Sequence, residues 1–291
     1  MNLPDLPCYL NGEYLPLAEA RISPMDRGFL FGDGIYDAVP VYGRRCFRFD
    51  AHMERLEHGL SKLRIASPLM RAEWLALARK LIASLPDAEN QLVYLQVTRG
   101  VAPRRRPMPQ DIEPTVFAYA SPMPGVPEAE RHQGVACVTA RDLRWEHCDI
   151  KSISLLGNVL ARQLAEDADA AETILLRDGW LTEASSANVW IVKEGALLGP
   201  PRGEHLLEGI RVELLRELCE DCGIGYNLRP ISEAELMAAD EVLLSSAGRE
   251  VLAVTTLDHE PVGHGALRGK PGPVYARLYE AYQKAKLTQS T

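Results

Sequence analysis

No stretch of this 291-residue chain is apolar for long enough to span a bilayer, and the opening MNLPDLPCYLNGEYL has no basic segment followed by an apolar run. Positive charge is in deficit, with Lys+Arg 32 against Asp+Glu 40 and a formal charge of −8. That balance argues against nucleic-acid or anionic-membrane partners, which need a basic footprint. Cysteine is sparse: Cys8, Cys46, Cys137, Cys148, Cys219 and Cys222 form no disulfide framework. With no export signal, reduced thiols in a cytoplasmic protein are expected. Cys219 and Cys222 have C-x-x-C spacing but no second Cys/His pair nearby, so they read as buried helix thiols, not zinc ligands. Internal repeats and low-complexity tracts are absent too. What remains is 46% apolar and 25% charged, an ordinary globular composition with length enough for two domains.

The first third mixes strands with two helices. LPCYLNGEYLPL predicts two strands about Asn11-Gly12, a hairpin signal. IYDAVPVY alternates and predicts a strand, with Pro40 implying an edge or a bulge. Asp50 is expected to cap AHMERLEHGLSKL, where Met53, Leu56, Leu60 and Leu63 recur at helical spacing. RAEWLALARKLIASL carries Trp74, Leu77, Leu81 and Leu85 on one helical face, and QLVYLQVTRG and PTVFAYA read as strands. Three prolines and a glycine in residues 121–131 mark a linker. Beyond it the pattern predicts a strand at GVACVTARDLRW, a helix at NVLARQLAEDADA, a hairpin at Asp178-Gly179 and a strand pair in SANVWIVKEGALLG. A helix after Gly209, the strand EVLLSSA and a closing helix through VYARLYEAYQKA complete it. The expected organisation is α+β: a small N-terminal domain (1–120), the linker (121–131) and a larger C-terminal domain (132–291).

Several residues could carry chemistry. Lys151 sits between Ile150, Ile153, Leu155 and Leu156. An ammonium with apolar neighbours loses hydration and becomes an amine nucleophile, as Schiff-base chemistry requires, although most such lysines simply reach solvent. Glu183, before Ser185, Ser186 and Asn188, is either a turn carboxylate or a group that holds a proton on a pyridine nitrogen. Phosphate sites need backbone N–H groups at a helix start or a turn, usually with a cation. Gly209, Ile210 and Arg211 open one such helix, Ser246 and Ala247 lie in a second small-residue turn, and Arg55 could add a charge-assisted bond. Arg99, Arg104, Arg105 and Arg106 lie in RGVAPRRRPMP, either a solvated charge run or a carboxylate clamp.

Together, DRGFLFGDGIYDAVPVYGRR, HMERL, QVTRGVAPR, RWEHCDIKSISLLGNVLA, LTEASSANVW, LLEGI and LLSSAGREV resemble fold-type IV pyridoxal-phosphate enzymes. The resemblance runs over nearly the whole chain and is strongest to D-amino-acid aminotransferases. It implies a two-domain fold, with a small N-terminal α/β domain and a larger, mixed, β-barrel-like C-terminal domain with helices. It implies pyridoxal 5′-phosphate as cofactor, carried by Lys151 as a Schiff base, with Glu183 on the pyridine nitrogen and Leu207 against the ring. Arg55, Ser186, Gly209, Ile210, the Arg211 amide and the Ser246-Ala247 turn match the phosphate cup. Tyr36 and Arg104 match residues that hold the substrate carboxylate, the arginine coming from a partner subunit, so a homodimer with active sites near its interface is implied. The family's threonine after Gly-Ile is Arg211 here, another is Ala247, a histidine is Arg106, and a pocket lysine is Pro40. Arg106 and Pro40 bear on substrate range.

The implied reaction is ping-pong transamination between a D-amino acid (the D-alanine, D-glutamate or D-aspartate class) and a 2-oxo acid. An aminodeoxychorismate lyase of the same fold would share Lys151 and the cup. Branched-chain and amine transaminases fit the pocket strand less well. A non-catalytic scaffold would have no use for Lys151 and Glu183.

Overall fold

The computed structural model describes residues 6–291. Two compact units emerge. One comprises residues 1–124, 150–155 and 287–291, the other 125–149 and 156–286. The Pro/Gly-rich stretch thus holds one crossing at residues 124–125, and the chain crosses again on either side of Lys151.

In the first unit a six-stranded sheet has the order β2-β1-β6-β5-β3-β4. The strands are β1 (Pro7–Leu10), β2 (Glu13–Pro16), β3 (Gly34–Tyr42), β4 (Arg45–Cys46), β5 (Gln91–Thr98) and β6 (Thr115–Pro122). Asn11 and Gly12, both at positive φ, close the β1–β2 turn as their composition dictates. The pairs are antiparallel, and β3 runs unbroken against β5 from Gly34↔Thr98 to Val41↔Gln91. Pro40 therefore lies in regular strand, not in a bulge. It is tolerated because on the outer side of β3 residue 40 only has to accept, its carbonyl taking the Phe47 N–H at 2.8 Å, so the missing proline N–H leaves no partner unpaired.

Alternation gives this sheet one buried face. Ile35, Val39, Val41, Val93, Leu95 and Val97 pack there under two helices, α2 (Phe49–Lys62) and α3 (Arg71–Ala83), through Met53, Leu56, Trp74 and Leu81. Burying each such side chain contributes roughly 1.5–3 kcal/mol. Asp50 proves not to cap α2: Arg48 occupies that position with φ 50°, and Asp50 falls inside the first turn. There its charge still favours the positive helix end, which is why the sequence signal looked like a cap. The short α1 (Arg27–Phe31) is capped by Asp26, whose carboxylate accepts from Gly28 N–H.

The second unit is built on a nine-stranded mixed sheet, order β12-β11-β10-β13-β14-β7-β8-β9, with β15 on β14. Its strands are β7 (Val135–Arg141), β8 (Glu172–Arg177), β9 (Trp180–Ala184), β10 (Asn188–Lys193), β11 (Ala196–Gly199), β12 (Tyr226–Leu228), β13 (Glu241–Ser246), β14 (Glu250–Leu257) and β15 (Glu260–Pro261). The sheet curls so that β9 turns back to β10, with Ala184 N–H donating to the Ala187 carbonyl. Strands β8, β10, β13 and β14 read as near-continuous apolar runs and are buried along almost their whole length, as strands covered on both faces are, whereas β7 alternates and is half-buried towards its end. Around them lie α4 (Glu128–Gln133), α5 (Leu156–Asp167), α6 (Ile210–Cys222), α7 (Glu233–Met237) and α8 (Pro273–Thr288). Gly223 closes α6 in the left-handed conformation; Cys219 within it is buried, but Cys222, in its last turn, is only half-buried. No cluster of potential metal ligands occurs among the described residues.

Candidate active site

Lys151 lies in the first unit, on an extended segment that continues the sheet beside β3. Tyr36 N–H donates to the Lys151 carbonyl at 3.0 Å, and Ile153 N–H to the Gly34 carbonyl at 3.1 Å. Ile35 bridges Ser152 between them. The Lys151 backbone is thus held as rigidly as a strand residue. Its Nζ lies 3.3 Å from Tyr36 Oη and 4.3 Å from the Tyr36 ring centroid. Tyr36 stacks on Tyr94, and Tyr94 meets Tyr119 at a tilt of 37° with ring centroids 5.4 Å apart, so the amine sits at the end of a row of rings on the sheet face away from α2 and α3.

Behind Tyr36, on the buried face, stands an ionic group that the sequence reading missed. Asp37 is fully buried and accepts from both Arg55 Nε and Nη2 at 2.9 Å, with His52 Nδ1 2.7 Å from its Oδ1. Burial alone would raise the Asp37 carboxyl. The charge of Arg55 and the contact with His52 outweigh it and hold the group well below the usual carboxylate range. A carboxylate on a core-facing strand position, between Ile35 and Val39, was the available signal. Because the folded value lies below the ordinary value of about 3.9, the stabilisation is complete above that pH and is lost as pH falls through the folded value. Asp37→Asn is expected to cost about 3–5 kcal/mol at neutral pH, having removed one side of a buried charge pair. The gap in melting temperature between variant and parent should shrink from pH 5 to pH 2. A gap that widens on acidification would contradict this.

Arg104 and Arg106 stand on an exposed loop of the same unit, with Arg104 stacked over Phe31 at 5.5 Å. Among the described residues no carboxylate pairs with Arg104, Arg105 or Arg106.

In the second unit Glu183, at the end of β9, is buried. One oxygen accepts from Arg144 Nη1, the other from Leu207 N–H at 3.0 Å. Arg144 is itself gripped by buried Asp142 through Nε at 3.0 Å and Nη2 at 2.9 Å. Burial opposes the guanidinium charge, but Asp142 and Glu183 overcome it and keep Arg144 firmly cationic. Burial raises the Asp142 carboxyl, and the bonds and charge of Arg144 outweigh that and hold it below the ordinary range. Neither Asp142 nor Arg144 was distinguishable in sequence from ordinary loop charges.

Of the residues matched to a phosphate cup, Arg55 lies in the first unit on Asp37, and Ser186, Gly209, Ile210, Arg211, Ser246 and Ala247 lie in this one. Asn188 lies opposite Ser245, next to Ser246, and its Nδ2 donates to the Leu207 carbonyl at 2.9 Å. Gly209 is the N-cap of α6 and makes no side-chain capping bond, so the first amides of the helix are not occupied by a cap. A Cβ at Gly209 would meet Asn188 Oδ1 at 2.2 Å. Arg211 turns its side chain inward, Nε donating to Tyr282 Oη at 3.3 Å, which leaves its backbone as the part available at the helix start. Ser246 Oγ accepts from Arg249 N–H and shapes the β13–β14 turn that holds Ala247. Ser186 is exposed and, with Ser185, donates to buried Glu172. The first unit offers an amine on a strand-like segment, and the second a buried carboxylate fixed by a cation and amides at a helix start; these are the kinds of group that pyridoxal-phosphate chemistry uses. Gly209→Ala should displace Asn188, weaken cofactor affinity by about tenfold or more, and lower stability by roughly 1–3 kcal/mol. Cofactor titration and thermal melts measure both. Unchanged cofactor affinity would remove Gly209 from the cup.

Comparison with known proteins gives the family and the fold. The model of the amino-transferase class IV family matches residues 34–257. A D-alanine aminotransferase of Bacillus licheniformis is 36% identical over 280 residues, 96% of this chain and 97% of that protein. One from Staphylococcus aureus (strain MSSA476) is 37% identical over 277 residues, 95% of this chain and 96% of that protein. Among solved structures, a branched-chain aminotransferase of the archaeon Thermoproteus uzoniensis with norvaline superposes with a TM-score of 0.82 at 22% identity, covering 98% of this chain and 95% of that one. The Escherichia coli branched-chain enzyme gives 0.85 at 22%, covering 96% and 94%. At that identity the two structures speak to the fold, which is theirs. The chain belongs to the class IV aminotransferases.

Proposed function

We propose that this protein transfers an amino group between a D-amino acid, of the D-alanine, D-glutamate or D-aspartate class, and a 2-oxo acid, using pyridoxal 5′-phosphate. The observation that carries the reading is similarity to D-alanine aminotransferases across 95–96% of the chain. When bound, the cofactor supplies an electron sink for the charge left as the substrate α-proton departs. Lys151 Nζ would hold it covalently at rest and, once the substrate amine has displaced it, would be free to take the proton from one reacting carbon and return it to the other. Glu183 holds a proton on the ring nitrogen, with Arg144 and the Leu207 amide fixing its two oxygens. Leu207 packs against the ring. Gly209, Ile210, Arg211, Ser186, Ser246, Ala247 and Arg55 are assigned to the phosphate, the helix-start amides and the cation supplying complementary charge. Tyr36, Arg104 and Arg106 are assigned to the substrate carboxylates.

Incubation with D-alanine and 2-oxoglutarate should release pyruvate, with L-leucine and aminodeoxychorismate run in parallel. Turnover of L-leucine alone, or of aminodeoxychorismate alone, would overturn the D-specific reading.

The working form is proposed to be a homodimer in the cytoplasm. Supporting the dimer, α5 exposes Leu156 at 71%, Val159 at 59%, Leu160 at 62% and Leu164 at 50%. This is an apolar stripe at helical spacing that a solvated helix would not carry. Light scattering should return twice the chain mass, and a monomer at working concentration would rule the dimer out. No helix among the described residues is long and apolar enough to cross a membrane, and fractionation tests the compartment.

A further inference from the structure

The arginine loop carries three exposed cations in an acidic protein, and residues 103–106 have little to hold them. Arg105 N–H closes a local turn onto the Pro103 carbonyl at 2.7 Å. Among the described residues only one side chain outside the loop hydrogen-bonds to this stretch, and it is Arg27. Its Nη1 donates to the Arg105 carbonyl at 2.5 Å and its Nη2 to the Arg106 carbonyl at 3.3 Å. The third arm, Nε, donates to Asp33 at 2.7 Å. Arg27 is 3% exposed, so these bonds are shielded from competing water.

The other end of this fork is anchored firmly. Asp33 also accepts from Arg99 Nε at 2.8 Å and Nη2 at 3.1 Å. Burial raises the Asp33 carboxyl, and the bonds from Arg99 and Arg27 outweigh that and keep it below the ordinary range. Asp26, the residue before Arg27, accepts from Thr98 and Thr115 hydroxyls at 3.0 and 2.6 Å. Gly100 fixes the root of the loop: at φ +107° its Cβ would strike the Glu113 carbonyl at 2.0 Å. Residues 98–102 are therefore held by strand and turn, and 103–106 by Arg27. The Arg27 guanidinium also lies over Phe31 at 4.8 Å, the ring on which Arg104 stacks.

We propose that Arg27 is a positioning residue for substrate recognition, setting through the Arg105 and Arg106 carbonyls where Arg104 and Arg106 present their charges to a substrate carboxylate. This rests on the assignment of those two arginines to the substrate. A planar fork with donors in fixed directions reaches a carboxylate and two carbonyls at once, which a lysine ammonium does not do in the same way. The exposed arginines can then meet an anion without first being ordered, and that saved ordering strengthens binding.

The test compares Arg27→Lys with the parent holoenzyme, with Arg104→Ala and with the double variant. R27K is expected to raise KM for the D-amino acid about tenfold, the worth of a lost hydrogen bond to a charged group, with kcat and the cofactor absorption band changed less than about twofold. Trypsin should cut between Arg104 and Arg106 faster in R27K than in the parent. In the double variant the KM effect of R27K should largely vanish on the R104A background, because both act through one loop. If R104A leaves KM unchanged, the substrate assignment fails. If R104A raises KM and R27K does not, or R27K lowers kcat and KM in parallel with stability alone, the positioning role fails. Should R27K not accumulate as folded protein, Arg27→Gln is measured in its place by the same KM, kcat and proteolysis readouts.

Discussion

Lys151→Ala is expected to abolish transamination, with kcat falling roughly 10⁴-fold or more, because one atom then fails both as covalent anchor and as proton carrier. The fold should survive. What holds this segment is backbone: the Tyr36 amide on the Lys151 carbonyl, and the Ile153 amide on the Gly34 carbonyl. The side chain adds one contact, 3.3 Å to Tyr36 Oη, so the melting temperature should move by only a few degrees. Lys151→Arg is the sharper control. It preserves the charge beside the Tyr36 ring, yet a guanidinium stays protonated at any working pH and cannot take up a proton. Both variants should lose the cofactor's visible band, and borohydride should fix cofactor to the parent chain at Lys151 alone. Steady-state turnover in K151R above about 1% of the parent would show that another group moves the proton.

The second large effect concerns Glu183. Glu183→Gln keeps shape and volume but no longer offers an anion to the ring nitrogen, and kcat should drop by about 10²–10³-fold, as for other preorganised electrostatic groups. Stability suffers as well. Glu183 accepts from two donors at once, Arg144 Nη1 and the Leu207 amide. A glutamine satisfies one with its oxygen and points an N–H at the other. That buried mismatch costs about 1–3 kcal/mol. Arg144 stays in place because Asp142 grips it through two bonds, so the loss should remain local. Single-turnover rates with D-alanine separate the two effects. A variant with kcat within threefold of the parent would mean that Glu183 is a structural carboxylate and not the partner of the ring.

Much of this was legible in the chain. Asn11-Gly12 and Asp178-Gly179 mark hairpins because their backbone demands are local, and both turns form there. Of the two helical stripes, Met53, Leu56 and Leu60 and Trp74, Leu77 and Leu81 are buried as their spacing requires, while Leu63 and Leu85 lie just past the helix ends and are half-buried. Lys151 and Glu183 could be singled out by residue type and setting. Each was one candidate among several until the resemblance of the surrounding segments to one family decided between them.

Other features were beyond the reach of any local pattern. The contacts Lys151–Tyr36 and Arg27–Arg105 join residues 115 and 78 positions apart. The ion pairs, Asp37 with Arg55 in one unit and Arg144 with Asp142 and Glu183 in the other, are built from charges that look in sequence like any solvated charge. The segment around Lys151 lies beyond the proline-rich crossing, yet it packs with the N-terminal unit. It does so because the open edge of β3 offers unpaired amides and carbonyls, and an extended stretch satisfies them better than water does. The sequence by itself determined the period of each element, the turns, and the residue types that pyridoxal chemistry needs. The tertiary structure alone decided which buried charges meet, which backbone the lysine is pinned to, and that Arg27 holds the arginine loop. Hydrogen bonds and ion pairs across such distances exist only once hydrophobic burial has brought the strands and helices together.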